Sequence, residues 1–132
     1  MDAALAQLVR QRAGHRCEYC RLPQSHSALR FHLEHIVPRQ HGGGDVAENL
    51  ALACPECNRR KGTNLTGIDP ESRLLVRLFH PRQDRWADHF RVLAARILPL
   101  TDVGRTTEWV LALNTEARLR WRVLLQRLRD WP

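Results

Sequence analysis

Lysine is nearly missing from this chain: of 21 lysine and arginine residues among 132, only Lys61 is a lysine. Such a bias fits the nucleotide composition of a source genome as well as it fits a ligand, so basicity alone decides little. Also missing is any apolar run of about 18 residues, the length a membrane-spanning helix needs. The opening Met1-Asp2-Ala3-Ala4-Leu5 carries an early charge and lacks the basic-then-apolar order of a secretory signal. A soluble, cytoplasmic chain is therefore expected. No internal repeat or low-complexity tract is visible, and the length suits one domain, or a compact domain with an appended helical segment, better than two independent ones.

What is present is a formal charge of +7 and a pI near 10.5. A basic surface gains free energy by releasing counterions condensed on phosphates, so nucleic acid is the first partner to consider. Membrane-surface binding would want a concentrated basic amphipathic helix with lipid-facing aromatics, which only the last helix approaches.

The four cysteines fall as Cys17-x-x-Cys20 and Cys54-x-x-Cys57. Without an export signal, paired CxxC at this separation reads as a tetrahedral zinc site rather than as two disulfides, and a redox CxxC would not explain two copies.

Along the chain, residues 2–13 place Leu5, Leu8 and Val9 at helical spacing, with Gly14 as a C-cap. Residues 21–28 read as loop, and 29–37 as a strand stopped by Pro38. The glycine run Gly42-Gly43-Gly44 lies in a surface loop over 39–48. Residues 49–53 form a second strand, and 55–61 a short helix with Pro55 at its first position and Gly62 just past its end. Residues 63–71 are turn-rich, 74–98 suit short strands, and two helices follow, from Thr101 to Leu113 and from Asn114 to about Arg129. In the last helix Ala117, Trp121, Leu124 and Leu128 share a face that should pack.

The informative stretch is His32-Leu-Glu34-His35-Ile-Val-Pro38, Gly42-Gly43-Gly44-Asp45, Asn49-Leu50, and Cys54-Pro-Glu-Cys57-Asn58-Arg59-Arg60-Lys61-Gly62. It resembles the HNH endonucleases, nucleases with a ββα-metal centre, in the branch where two CxxC knuckles flank the motif. The resemblance covers roughly residues 14–64. The segment Phe79-His-Pro-Arg-x-x-x-Trp86-x-x-His89-Phe90 is similar to a tail of some bacterial members. The fold implied is α+β: a ββα-metal core with a zinc knuckle pair over residues 1–70, and a strand and helix extension over 71–132 packed on it.

Phosphodiester hydrolysis at neutral pH needs a base near its own pKa, which makes His35 the candidate. It also needs a hard cation on oxygen donors, magnesium or manganese, for which Glu34 and Asn58 would serve. Many family members have aspartate where this chain has Glu34. By resemblance, Asn49 holds the base in position, bonding near the His35 backbone or ring, and the products are 5′-phosphate and 3′-hydroxyl ends. Strict strand alternation sends Glu34 and His35 to opposite faces, so they flank one phosphate only if the strand twists or ends there.

Zinc on four thiolates has no open position and is structural, pinning the Asn58 helix to the Cys17 loop. Arg59, Arg60, Lys61 and His41 are candidates for the nucleic-acid backbone, double-stranded DNA being the expected substrate. His32 reads equally as a substrate contact or a solvent-facing residue. His15, His26, His80 and His89 have no partner visible in sequence, and Trp86, Trp109 and Trp121 are expected in core or interface. Arg118, Arg122 and Arg129 share one side of the last helix, which reads as its solvated face. The alternatives are a non-catalytic zinc-ribbon module that binds nucleic acid, and an RNA-directed nuclease.

Overall fold

The computed structural model describes residues 1–132. Helix α1 (Ala3–Arg12) starts where Asp2 accepts a hydrogen bond from the Leu5 amide. It buries Val9, while Arg12 reaches the carbonyls of Ala47 and Leu50 and Arg10 that of Phe31. Those three bonds fasten α1 to both ends of the hairpin that follows.

That hairpin pairs β1 (His32–His35) with β2 (Leu50–Ala53), antiparallel, with Glu34 opposite Ala51 and His35 opposite Leu50. All four β2 residues are buried, so this strand is the floor of the core. Helix α2 (Pro55–Lys61) follows after Cys54, whose sulfur accepts from the Cys57 amide, and packs on both strands, giving the expected ββα unit.

Beyond it, β3 (Thr66–Ile68) pairs with β4 (Leu75–Arg77), and a helical turn α3 (Trp86–His89) leads into a second hairpin, β5 (Phe90–Leu93) with β6 (Arg96–Pro99). The β3 strand falls in the stretch read from sequence as turns. Helix α4 (Asp102–Leu111) is capped by Thr101 and packs on α2, β3, β4 and β6. Helix α5 (Glu116–Arg127) is capped by Thr115. One hydrophobic core joins these pieces, running from Val9 through Leu52 and Phe90 to Leu125 and Trp131.

The last helix packs by a different face from the one its apolar residues suggest. Trp121, Leu124 and Leu128 are exposed, at 43%, 47% and 64%, whereas Arg122 and Leu125 are buried. Trp109 is likewise 65% exposed and Trp86 is half-buried, so only Trp86 of the three tryptophans joins the core as expected.

Candidate functional site

The first knuckle, Cys17 to Cys20, lies against β2: the Glu18 amide donates to the Leu52 carbonyl at 2.8 Å and the Glu18 carboxylate accepts from the Leu52 amide at 2.8 Å. This pairing carries Cys17 and Cys20 to the start of α2, where Cys54 and Cys57 sit. The four sulfurs lie within 4.8 Å of one another, and Cys20 Sγ is 3.7 Å from Cys54 Sγ. A zinc–sulfur bond of about 2.3 Å in a tetrahedron puts neighbouring sulfurs about 3.8 Å apart, so the cluster fits that ion.

Two further observations favour a bound cation. The amides of Cys20 and Cys57 point at Cys17 Sγ and Cys54 Sγ, at 3.5 and 3.4 Å. Hydrogen bonds from the other three cysteines hold the Cys20 thiol well down while burial pushes Cys17 and Cys57 up, so negative charge gathers in the cluster where a cation would balance it. Zinc on this shell would brace the ββα unit and take no part in bond cleavage.

On the other side of β1 stands His35, with its side chain 21% exposed and Nε2 2.6 Å from Asp45 Oδ1. The hydrogen bond to His35, with a further contribution from Arg39, holds the Asp45 carboxyl below its ordinary range. An ionised carboxylate only accepts, so Nε2 carries the proton and the Nδ1 lone pair is left as the basic position. Arg39 Nη2 lies 2.9 Å from both oxygens of Asp45 and fixes the carboxylate from its far side.

Asn49 positions this group through backbone. Its Oδ1 accepts from the Val37 amide at 2.8 Å, and its Nδ2 donates to the carbonyls of Val37 and Gly44 at 2.9 and 3.1 Å. One side chain thus joins the end of β1 to the glycine loop that delivers Asp45. Gly43 is needed there, because a Cβ at that position would lie 1.7 Å from the Val37 carbonyl oxygen and 2.7 Å from Asn49 Nδ2.

Alternation along β1 sends Glu34 the opposite way from His35. Its side chain is 4% exposed, with Oε1 2.5 Å from Lys61 Nζ and Oε2 accepting from the Tyr19 hydroxyl at 2.7 Å. Burial raises the Glu34 carboxyl, and the Lys61 charge opposes that shift. Lys61, 2% exposed, also donates to the Ile36 carbonyl at 3.0 Å.

Two expectations are thereby corrected. Lys61 does not reach solvent and is no contact for a nucleic-acid backbone, since its ammonium is used up neutralising Glu34 inside the core. Glu34 does not share a face with His35, and its carboxylate is already held, so a hard cation on Glu34 and Asn58 does not fit this arrangement. Asn58, half-buried on α2, makes no side-chain hydrogen bond.

Among the other expected contacts, Arg59 and Arg60 bind Glu56 at 2.9 and 2.6 Å, with Arg59 mostly exposed, and His41 lies exposed in the loop beside Gly42. His32 is exposed on β1. Three histidines without partners in the sequence acquire them in the fold: His26 with Asp130, His80 with the amides of Arg82 and Gln83, and His89 with Thr101. Asp45 has no role assignable from sequence alone; the Gly-Gly-Gly-Asp run is the signal that a carboxylate returns to the strand. Arg118, expected on the solvated face of the last helix, instead has Nη2 3.2 Å from Cys57 Sγ.

No helix is long and apolar enough to cross a membrane. Comparison with curated proteins and with solved structures finds no match. The model of the family described as HNH endonuclease matches residues 17–64, a span that runs from the first cysteine of the metal cluster to three residues past Lys61 and encloses the His35, Asp45 and Asn49 constellation; over that span the chain is similar to the HNH endonucleases, as its motifs suggest.

Proposed function

We propose that this protein hydrolyses phosphodiester bonds of nucleic acid, DNA in the first place, with His35 as the general base. The observation that carries the reading is the 2.6 Å contact between His35 and Asp45 within the HNH match, which leaves Nδ1 free on a partly exposed imidazole. Nδ1 takes a proton from water as the water oxygen attacks phosphorus, the bond from phosphorus to the 3′ oxygen breaks and that oxygen takes a proton from solvent, and Asp45 stabilises the imidazolium that forms. Asn49 holds the strand end in place. Arg59, Arg60 and His41 lie on exposed or half-exposed ground and offer charge and hydrogen bonds to the phosphate backbone. The net charge of +7 supports a polyanionic substrate, double-stranded DNA being our assignment. Four free cysteines fit zinc as the structural ion and a reducing compartment, the cytoplasm.

Magnesium or manganese is the catalytic cation expected of such a domain, with Asn58 as an oxygen donor on α2; the buried ammonium on Glu34 stands against Glu34 as the second. That same ion pair favours a second reading, a zinc-braced module that binds nucleic acid without cutting it.

Plasmid and RNA digestion with magnesium, manganese or EDTA, on protein whose zinc has been counted, separates these readings. Wild type should cut plasmid, and His35→Ala should lower the rate by about 10²-fold or more while zinc content and DNA affinity stay unchanged. Equal cleavage by wild type and His35→Ala removes His35 from the mechanism; binding without cleavage by wild type selects the module; cleavage of RNA alone reassigns the substrate.

A further inference from the structure

Helix α5 lies outside the matched segment, yet it turns arginines toward the metal cluster. Arg118 Nη2 is 3.2 Å from Cys57 Sγ and 4.0 Å from Cys54 Sγ, and its Nη1 is buried with no hydrogen-bond partner. The acid on the adjoining helix, Glu56, is committed to Arg59 and Arg60. Glu56 feels the Arg118 charge but does not pair with it, so the groups in direct contact with the guanidinium are the sulfurs.

Neutral thiols cannot balance a guanidinium, whereas a dication on four thiolates leaves a net negative centre that can. The segment after α5 closes over the same cluster. Trp131 Nε1 donates to the Cys20 carbonyl at 3.0 Å, and Arg16 reaches the Asp130 carbonyl at 3.0 Å from beside Cys17. One turn beyond Arg118, Arg122 lies 5.2 Å from the Trp131 ring centroid and donates to the Ala95 carbonyl at 3.2 Å.

We propose that Arg118 is the charge partner of the metal centre, and that it makes zinc occupancy and the docking of α5 one linked equilibrium. The ion holds α5 in place through Arg118, and α5 in return retards loss of the ion, as reciprocity between coupled sites requires. The proposal rests on the four cysteines holding zinc and is independent of whether the protein cuts nucleic acid. It also explains why the apolar face of α5 is left outside: the arginine face is drawn in by the sulfurs.

The test uses the full chain as wild type, Arg118→Gln and Arg118→Lys. Bound zinc is counted, its release to excess chelator is followed with a colorimetric indicator, and amide hydrogen exchange is measured with and without zinc. Arg118→Gln should release zinc about tenfold faster or more, with Arg118→Lys between it and wild type, since lysine keeps the charge but not the forked guanidinium. Stripping zinc from wild type should speed exchange over residues 116–131 more than over the β5–β6 hairpin.

Release from Arg118→Gln at the wild-type rate, or exchange over 116–131 that ignores zinc, overturns the proposal. Should Arg118→Gln fail to fold, the exchange comparison on wild type decides alone. Wild type purified and refolded with zinc that still holds none would remove the metal reading itself, and this proposal with it.

Discussion

The His35 imidazole and the Glu34 carboxylate are chain neighbours that live in different media. His35 keeps contact with solvent and with an ionised partner, so its behaviour is set by Asp45. Asp45→Asn should lower kcat by about 10²-fold or more, because an amide can present its N–H side to the ring and favour the wrong tautomer. Steady-state cleavage kinetics on protein of wild-type zinc content checks this; an unchanged kcat removes Asp45 from the site. Glu34 is sealed beneath the sheet with Lys61, and removing one partner leaves a buried charge alone. Lys61→Met should cost about 3–5 kcal/mol in urea unfolding, and the double variant with Glu34→Gln should recover part of it.

Acid titration separates two buried carboxyls by sign. Burial raises Glu34, so its contribution is fully present below the ordinary value of about 4.3 and is lost as pH rises through the folded value. Asp69 behaves in the opposite way. Hydrogen bonds from Arg105, at 3.1 and 2.9 Å, hold its carboxyl well below the ordinary range. Its contribution is present above its unfolded value of about 3.9 and disappears as pH falls through the folded one. Asp69→Asn should therefore lower the urea midpoint at pH 7, and the gap from wild type should close as the medium is made acid. A gap that widens in acid would contradict the assigned direction.

At the scale of elements, the glycine loop is as much a part of the site as the strand. Gly43→Ala places a methyl against the Val37 carbonyl and Asn49, so the loop must move and carry Asp45 off His35. Cleavage should fall by about tenfold or more, as misplacement by an ångström does, while zinc content is retained. Kinetics beside a zinc count tests this.

The ββα unit was legible because its signals are local: Pro38 follows soon after one strand ends at His35, Pro55 opens the helix and Gly62 ends it. Strand β3 was not, since three residues with Gly67 in the middle carry too little alternation to stand out from turns. The face of α5 was misread for a deeper reason. Periodicity sees Trp121, Leu124 and Leu128 as the side to bury, but it does not see a cluster of sulfurs more than 60 residues earlier waiting for a cation. Asp45 and Arg118 escaped for the same reason: each takes its role from a partner that only tertiary structure supplies.

Over the whole molecule, the matched span and the extension share one core, and the metal cluster lies at their seam. Chelation should lower Tm and abolish cleavage together, and Cys54→Ser should do the same, because the ion ties both ends of the 17–64 span and, through α5, the extension as well. Thermal unfolding with and without chelator measures this; a Tm indifferent to zinc removal would show that the core stands without it.

The contacts between Trp131 and Cys20, and between Asp130 and Arg16, bridge 111 and 114 residues of chain. On a ribosome, all four thiols emerge well before the residues that will cover them. Metal capture can thus come early and enclosure late, and in the interval the sulfurs depend on the ion itself for protection against oxidants.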